Sequence, residues 1–218
     1  MSFERVKIME NIVLSPKASP VYKFMSTILA QRPDATQSPG KILDCGAGGN
    51  IPPLALFAQH GFDCWGIDIS DQQLDKAKAF AMEHDINLHL QKGDMRQMPF
   101  ENENFDFVFE HFAMCHMSKQ DTAQSIHEMY RVLKPDGLCF LGFISDACFP
   151  KSGYGVEQAP GEYYGKEGDN MTLHSLFSDQ EADALVTGWE VLSKQKSISY
   201  HIDKNSQYAH LYYILQKA

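Results

Sequence analysis

The run KILDCGAGGN (residues 41–50) sets Ile42 and Leu43 ahead of Asp44 and then places glycines at 46, 48 and 49. An apolar run this short reads as a strand buried on both faces, and glycines directly after it mark a turn that lets backbone come close to another group. In an open parallel sheet, the first strand-to-helix turn lies where ligands settle, outside the carboxyl ends of the strands. Gly46 and Gly48 are expected to supply positive φ angles and close approach there. The next helix is expected to aim its free amides at the ligand. Pro52 and Pro53 fit its opening turn, where the amides they lack have no helical partner anyway.

Outward from that turn, β-rich runs at 64–69, 88–92, 105–110 and 138–144 follow the first at 41–45, with helical patterns between them. Such runs are those of a parallel sheet covered on both faces. Ser70 with Gln73, Ser118 with Asp121 and Ser178 with Glu181 have the spacing in which a hydroxyl accepts from an amide of the first helical turn. Ser19 before Pro20 marks an earlier helix to about Ala30. After 144 the alternation stops, and 145–177 is rich in Gly, Pro and Tyr without a clear period, a connection long enough to be functional or mobile. A helix over 178–188 and two strand patterns, 189–202 and 207–218, complete the chain. The reading is a single α/β domain over 1–218: a Rossmann-like, doubly wound, mostly parallel seven-stranded sheet with an antiparallel edge strand and helices on both faces. Residues 1–40 form its N-terminal helical segment.

The turn fits more than one nucleotide-like ligand, and its spacing separates them. A dinucleotide fingerprint needs a third glycine five positions after the first, where this chain has Ile51; the lysine and hydroxyl residue of a phosphate loop are absent too. Asp44 at the strand tip opposes a pyrophosphate and suits a ligand that carries a cation. S-adenosylmethionine has two positive centres, an ammonium and a sulfonium, and a carboxylate offers the ammonium a direct or water-bridged partner.

At this point the sequence resembles the class I S-adenosylmethionine-dependent methyltransferases of small-molecule type, from about residue 40 onward. ILDCGAGGN is similar to the family's first motif. WGIDIS is similar to its second strand, KGDMRQMPFENENFDFVFE to the stretch that meets the adenine, and EMYRVLKPDGLCFL to the helix, turn and fifth strand that close the core. The four occur in order, with Asp44, Asp68 and Asp94 spaced 24 and 26 residues apart. The third family glycine is replaced by Asn50, which tolerates left-handed geometry. The resemblance implies cofactor contacts from Asp44, Gly46, Ala47 and Gly48 at the turn, and from Asp68 to the ribose hydroxyls. It also implies Ile69 beside the adenine, Gln73 toward the ribose, Asp94 and Met95 at the adenine, and Glu110 and His111 after the fourth strand, largely through backbone. S-adenosylhomocysteine is the product it implies.

For the acceptor, His116 is within reach of the same cleft, and a histidine titrates near neutral pH. Tyr154, Tyr163, Tyr164 and His174 belong to the 146–177 insertion, read here as a lid over an apolar acceptor, and Tyr22 closes the other side. The plainer alternatives are loop or helix-start residues for the histidines, a satellite core for the insertion's aromatics, and amphipathic packing for Tyr22. No catalytic base is assigned, because methyl transfer from a sulfonium needs one only where the nucleophile keeps a proton. His111, Cys115 and His116 lack a second ligand cluster, so no metal is expected.

Nineteen Lys and Arg against 28 Asp and Glu give a net charge of −9, which offers no overall field to a phosphate backbone. A small-molecule methyl acceptor is therefore the expected partner, and nucleic acid is not. Five scattered cysteines in mostly apolar runs read as buried thiols in a reducing compartment, and the first residues carry no continuous apolar stretch, so a cytoplasmic protein without a membrane span is expected. Three other functions compete: a non-catalytic module that holds S-adenosylmethionine or S-adenosylhomocysteine, a methyltransferase acting on protein or RNA, and an NAD-linked oxidoreductase, which Ile51 disfavours.

Overall fold

The computed structural model describes residues 19–32 and 38–218; the sequence readings for residues 1–18 and 33–37 lie outside the described residues. β1 (Lys41–Cys45) pairs in parallel with β2 (Asp63–Asp68) on one side and β4 (Phe105–Phe109) on the other. β3 (His89–Lys92) extends the sheet beyond β2, and β5 (Leu133–Ser145) beyond β4. β10 (Ser206–Lys217) runs antiparallel to β5, and β9 (Trp189–His201) runs antiparallel to β10. The main sheet is therefore ordered β3-β2-β1-β4-β5-β10-β9, mostly parallel, with β10 reversed and lying one place in from the edge. The chain moves outward from β1 to β3 and then returns to β4 on the other side of β1. The strand order thus reverses at the carboxyl ends of β1 and β4, where a doubly wound sheet opens a crevice.

Alternate residues of these strands enter different cores. Leu43, Val108, Cys139, Leu141 and Phe143 pack with Ile126, Met129 and Val132 of α4 (Lys119–Val132) and Ala182 of α5 (Asp179–Leu185). On the opposite face, Ile42, Phe107, Phe109 and Phe140 pack with Val21, Phe24 and Ile28 of α1 (Ser19–Gln31) and Phe57 of α2 (Leu54–Gln59). The Phe24 and Phe140 rings stack 5.7 Å apart, which ties the N-terminal helix to the sheet centre. α3 (Asp71–Glu83) lies against β2 and β3. All three serine caps form: Ser70, Ser118 and Ser178 accept from Gln73, Asp121 and Glu181, and the last pair is a full capping box. The five cysteines are free and buried. No helix among the described residues is long and apolar enough to cross a membrane.

The insertion differs from the aperiodic loop its composition suggested. β6 (Val156–Ala159), β7 (Glu162–Glu167) and β8 (Asn170–Phe177) form an antiparallel meander, and the end of β8 joins the main sheet by pairing in parallel with Ile144 and Ser145. It is pinned to the start of α4, because the Lys119 amide donates to Glu162 at 2.6 Å. Its strands are short and cover a separate core of Cys115, Ile144, Cys148, Tyr163 and Leu176, so only one face carries a hydrophobic signal.

Candidate functional site

A cavity of about 580 Å³ opens at the carboxyl ends of β1, β2, β3 and β4. Its wall takes Gly46 and Gly48 from the first turn, Asp68, Ile69 and Gln73 from the second, Asp94, Met95 and Arg96 after β3, and His111, Phe112 and His116 after β4. The glycine turn is fastened to β2. Gly46 and Ala47 both donate to the Ile67 carbonyl, at 2.8 and 2.9 Å, and Gly49 donates to the Gln73 carbonyl at 3.1 Å. The Gly48 amide donates to Asp68 Oδ2 at 3.1 Å, while Ser70 donates to Asp68 Oδ1 at 2.8 Å, so the carboxylate is held from both sides.

Two expectations for this turn change. The positive φ angles fall on Gly46 (+116°) and Gly49 (+103°); Gly48 instead provides space, since a Cβ there would stand 2.4 Å from Gln73 Cβ and 2.5 Å from Asp68 Oδ2. The amides of the turn are also consumed within the protein, and α2 has only six residues, with Pro53 as its cap. A phosphate cradle leaves such amides free for the ligand. This turn instead presents backbone surface and one oriented carboxylate.

Asp44, Ala47 and Glu110 do not line the cavity; they are buried behind it. Glu110 accepts from Gly142 at 2.8 Å and from Ala113 and Met114 at 3.1 Å each, which fixes the start of the loop after β4. Burial pushes its carboxyl up to about 7 in spite of those three amides. Asp44 Oδ2 is buried with no hydrogen-bond partner, and burial, then Glu110, then Asp68 hold that carboxyl well above the ordinary range.

Because the folded-state value of Glu110 lies above the unfolded one, its contribution to stability is present in full below about pH 4.5 and is lost as pH rises through about 7. That gap corresponds to about 3 kcal/mol, since each pH unit is worth roughly 1.4 kcal/mol. Glu110→Gln leaves at least one of the three amides facing a donor and costs about 1–3 kcal/mol at pH 5. The difference in urea stability between wild type and variant is expected to shrink toward pH 7.5, and a pH-independent difference would contradict this placement.

Of the residues read as acceptor contacts, His116 lines the cavity, and His174 packs against it with ring centroids 5.2 Å apart. Tyr154 packs edge-on against His174 at 5.5 Å. Tyr163 is buried in the insertion's own core and donates to Glu157, whereas Tyr164 faces outward from β7, and neither lines the cavity. Tyr22 sits on the partly exposed face of α1, also away from the cavity wall.

Residues 42–137 match the methyltransferase-domain family. The uncharacterized methyltransferase YcgJ of Bacillus subtilis is 34% identical over 98 residues, covering 44% of this chain and 38% of that protein. A sterol 24-C-methyltransferase of Saccharomyces cerevisiae is 37% identical over 95 residues, covering 43% of this chain and 24% of the enzyme. The chain thus spans well under half the length of these curated relatives in the matched region. A methyltransferase structure from Methanosarcina mazei superposes with a TM-score of 0.68 over 82% of this chain and 92% of that one, at 19% identity, which speaks for the fold. The matched region, residues 42–137, and the fold are those of a class I S-adenosylmethionine-dependent methyltransferase.

The cavity has the chemistry for the cofactor of such a methyltransferase. Asp44, with an orphaned oxygen, feels both Glu110 and Asp68, and a cationic ligand would relieve this crowding of carboxyls. The glycine cradle is one that a Cβ at position 48 would fill.

The sequence reading missed Arg96 and Phe112 of the cavity wall. Arg96 pairs with Asp94 at 2.6 Å and with Asp121 at 3.4 Å, bridging the loop after β3 to the first turn of α4. Phe112, a bulky residue at φ +64°, turns the chain into the cavity wall, and strain of that kind gathers at functional sites. Arg96 directly follows the Asp94-Met95 pair and was readable as its partner; the φ of Phe112 was not readable.

Proposed function

We propose that this chain transfers the methyl group of S-adenosylmethionine to a small-molecule acceptor held between the loop after β4 and the insertion. The observation that carries the reading is the pairing of a backbone-lined turn with the oriented Asp68 carboxylate at the sheet's switch point. When bound, S-adenosylmethionine supplies an already electrophilic methyl on its sulfonium. Asp68 accepts from the ribose hydroxyls with a carboxylate fixed in advance by Gly48 and Ser70. Ile69 and Met95 flank the adenine, and Asp94, held by Arg96, accepts from its amino group. Gln73 reaches toward the ribose, and His111 lines the space beside it. Asp44 and Glu110 act from behind the wall: Glu110 fixes the post-β4 loop, and Asp44 is a buried carboxyl that a nearby cationic ligand would draw toward its charged form.

What the chain must do for catalysis is orient the acceptor and exclude water, and positioning alone removes about 7–11 kcal/mol of a barrier in favourable cases. A small acceptor is supported by the size of the cavity, by the net charge of −9 and by the small-molecule substrate named for the sterol methyltransferase. The test is a panel of small hydroxyl, amine and thiol compounds incubated with the protein and S-adenosylmethionine, with S-adenosylhomocysteine read by mass spectrometry. Acceptor-dependent release is expected. Release only with protein or RNA substrates, or cofactor binding without turnover on any acceptor, would overturn the small-molecule assignment.

A further inference from the structure

Where the insertion meets the loop after β4, three metal-ligating side chains converge from separate parts of the chain. His116 follows β4, Glu167 ends β7 and His174 lies on β8, and one donor atom from each falls within 4.8 Å of the others. His116 Nδ1 lies 3.3 Å from the Leu173 carbonyl, which accepts from it in the tautomer protonated at that nitrogen. In that tautomer the Nε2 lone pair faces Glu167 Oε2 at 3.9 Å. That contact is an ion pair when the ring is protonated and a pair of metal donors when it is neutral. The His174 side chain is 9% exposed, and its ring is held between His116 and Tyr154, with centroids 5.2 and 5.5 Å away. Those contacts fix the ring's orientation in advance, as a metal ligand requires.

We propose that His116, Glu167 and His174 bind a divalent cation of the zinc class, which staples the insertion to the loop beside the cofactor cavity. Two imidazoles and one carboxylate suit such an ion, and a backbone carbonyl on the far nitrogen of a histidine is the usual support for a metal ligand. With bonds of about 2.0–2.2 Å, donors around a tetrahedral zinc stand roughly 3.4 Å apart. Closing the observed spread requires a modest rotation of Glu167, whose side chain is 58% exposed and free to turn. Three protein donors leave one position open, as in catalytic zinc sites. His116 and Leu173, both part of this site, also belong to the cavity wall. This site deepens the methyltransferase reading by bringing a Lewis acid to the acceptor side.

The test uses untagged, chelator-treated protein titrated with zinc chloride by calorimetry, and with cobalt chloride followed by its visible absorption. Wild type is expected to bind one ion per chain and to melt at a higher temperature when loaded. His174→Ala and the exposed, fold-neutral Glu167→Gln are each expected to weaken zinc by at least about tenfold and to abolish the shift in melting. No saturable binding, or equal binding by wild type and both variants, overturns the site. Each sample is also titrated with S-adenosylhomocysteine: protein that binds it without binding zinc overturns the metal site alone, and folded protein that binds neither overturns both readings.

Discussion

Asp68→Ala is expected to lower the affinity for S-adenosylmethionine and S-adenosylhomocysteine by about 30- to 1,000-fold, the equivalent of roughly 2–4 kcal/mol for charge-assisted bonds to two ribose hydroxyls. The carboxylate lines the cavity and is already oriented by Gly48 and Ser70, so little ordering remains to be done when a ligand arrives. Removing it also frees those two amides, which sit at the cavity edge and can turn to water, so the fold is expected to survive. Calorimetry with S-adenosylhomocysteine, beside circular dichroism of the variant, reads both effects. A folded variant with unchanged affinity would remove Asp68 from the ribose site.

The second large effect belongs to Gly46. At φ +116° it occupies backbone space that L side chains rarely adopt, and a Cβ would stand 2.5 Å from the Cβ of Ala113. Ala113 belongs to the loop that Glu110 fixes, so Gly46→Ala pushes the first turn against the loop after β4. Strain and overpacking together are expected to cost about 2–5 kcal/mol of stability. Neighbouring glycines separate the causes. A Cβ at Gly49 meets nothing within 4 Å, so alanine there carries only the penalty of φ +103°. One at Gly48 meets Gln73 Cβ at 2.4 Å and the Asp68 carboxylate at 2.5 Å, so alanine there is expected to cost both stability and affinity. Equal losses of stability at 46 and 49 would contradict the contact with Ala113.

How much of this was legible in the sequence depended on how local each cause was. The bounds of β1 and the three serine caps follow from runs and spacings of a few residues, and the structure places them there. The glycine turn was legible as a turn, but the division of labour within it was not. Which glycine takes positive φ and which makes room depends on Asp68 approaching from the next strand. The insertion's strands escaped notice because they cover one small core from one side, and Tyr163 inside next to Tyr164 outside looks like mere aromatic richness. The grouping of His116, Glu167 and His174 depends on the meander bringing β7 and β8 to the post-β4 loop, which no local spacing encodes. The expectation of no metal rested on residues near His111 alone.

The turn after β1 and Asp68 are together proposed as the site for S-adenosylmethionine. Calorimetric titration of the purified chain with S-adenosylmethionine, with S-adenosylhomocysteine and with NAD⁺ tests it most directly. The prediction is saturable binding of the first two at one site per chain, in competition with each other, and no heat from NAD⁺. Saturable binding of NAD⁺, or no binding of either sulfur ligand by protein shown to be folded, would contradict it.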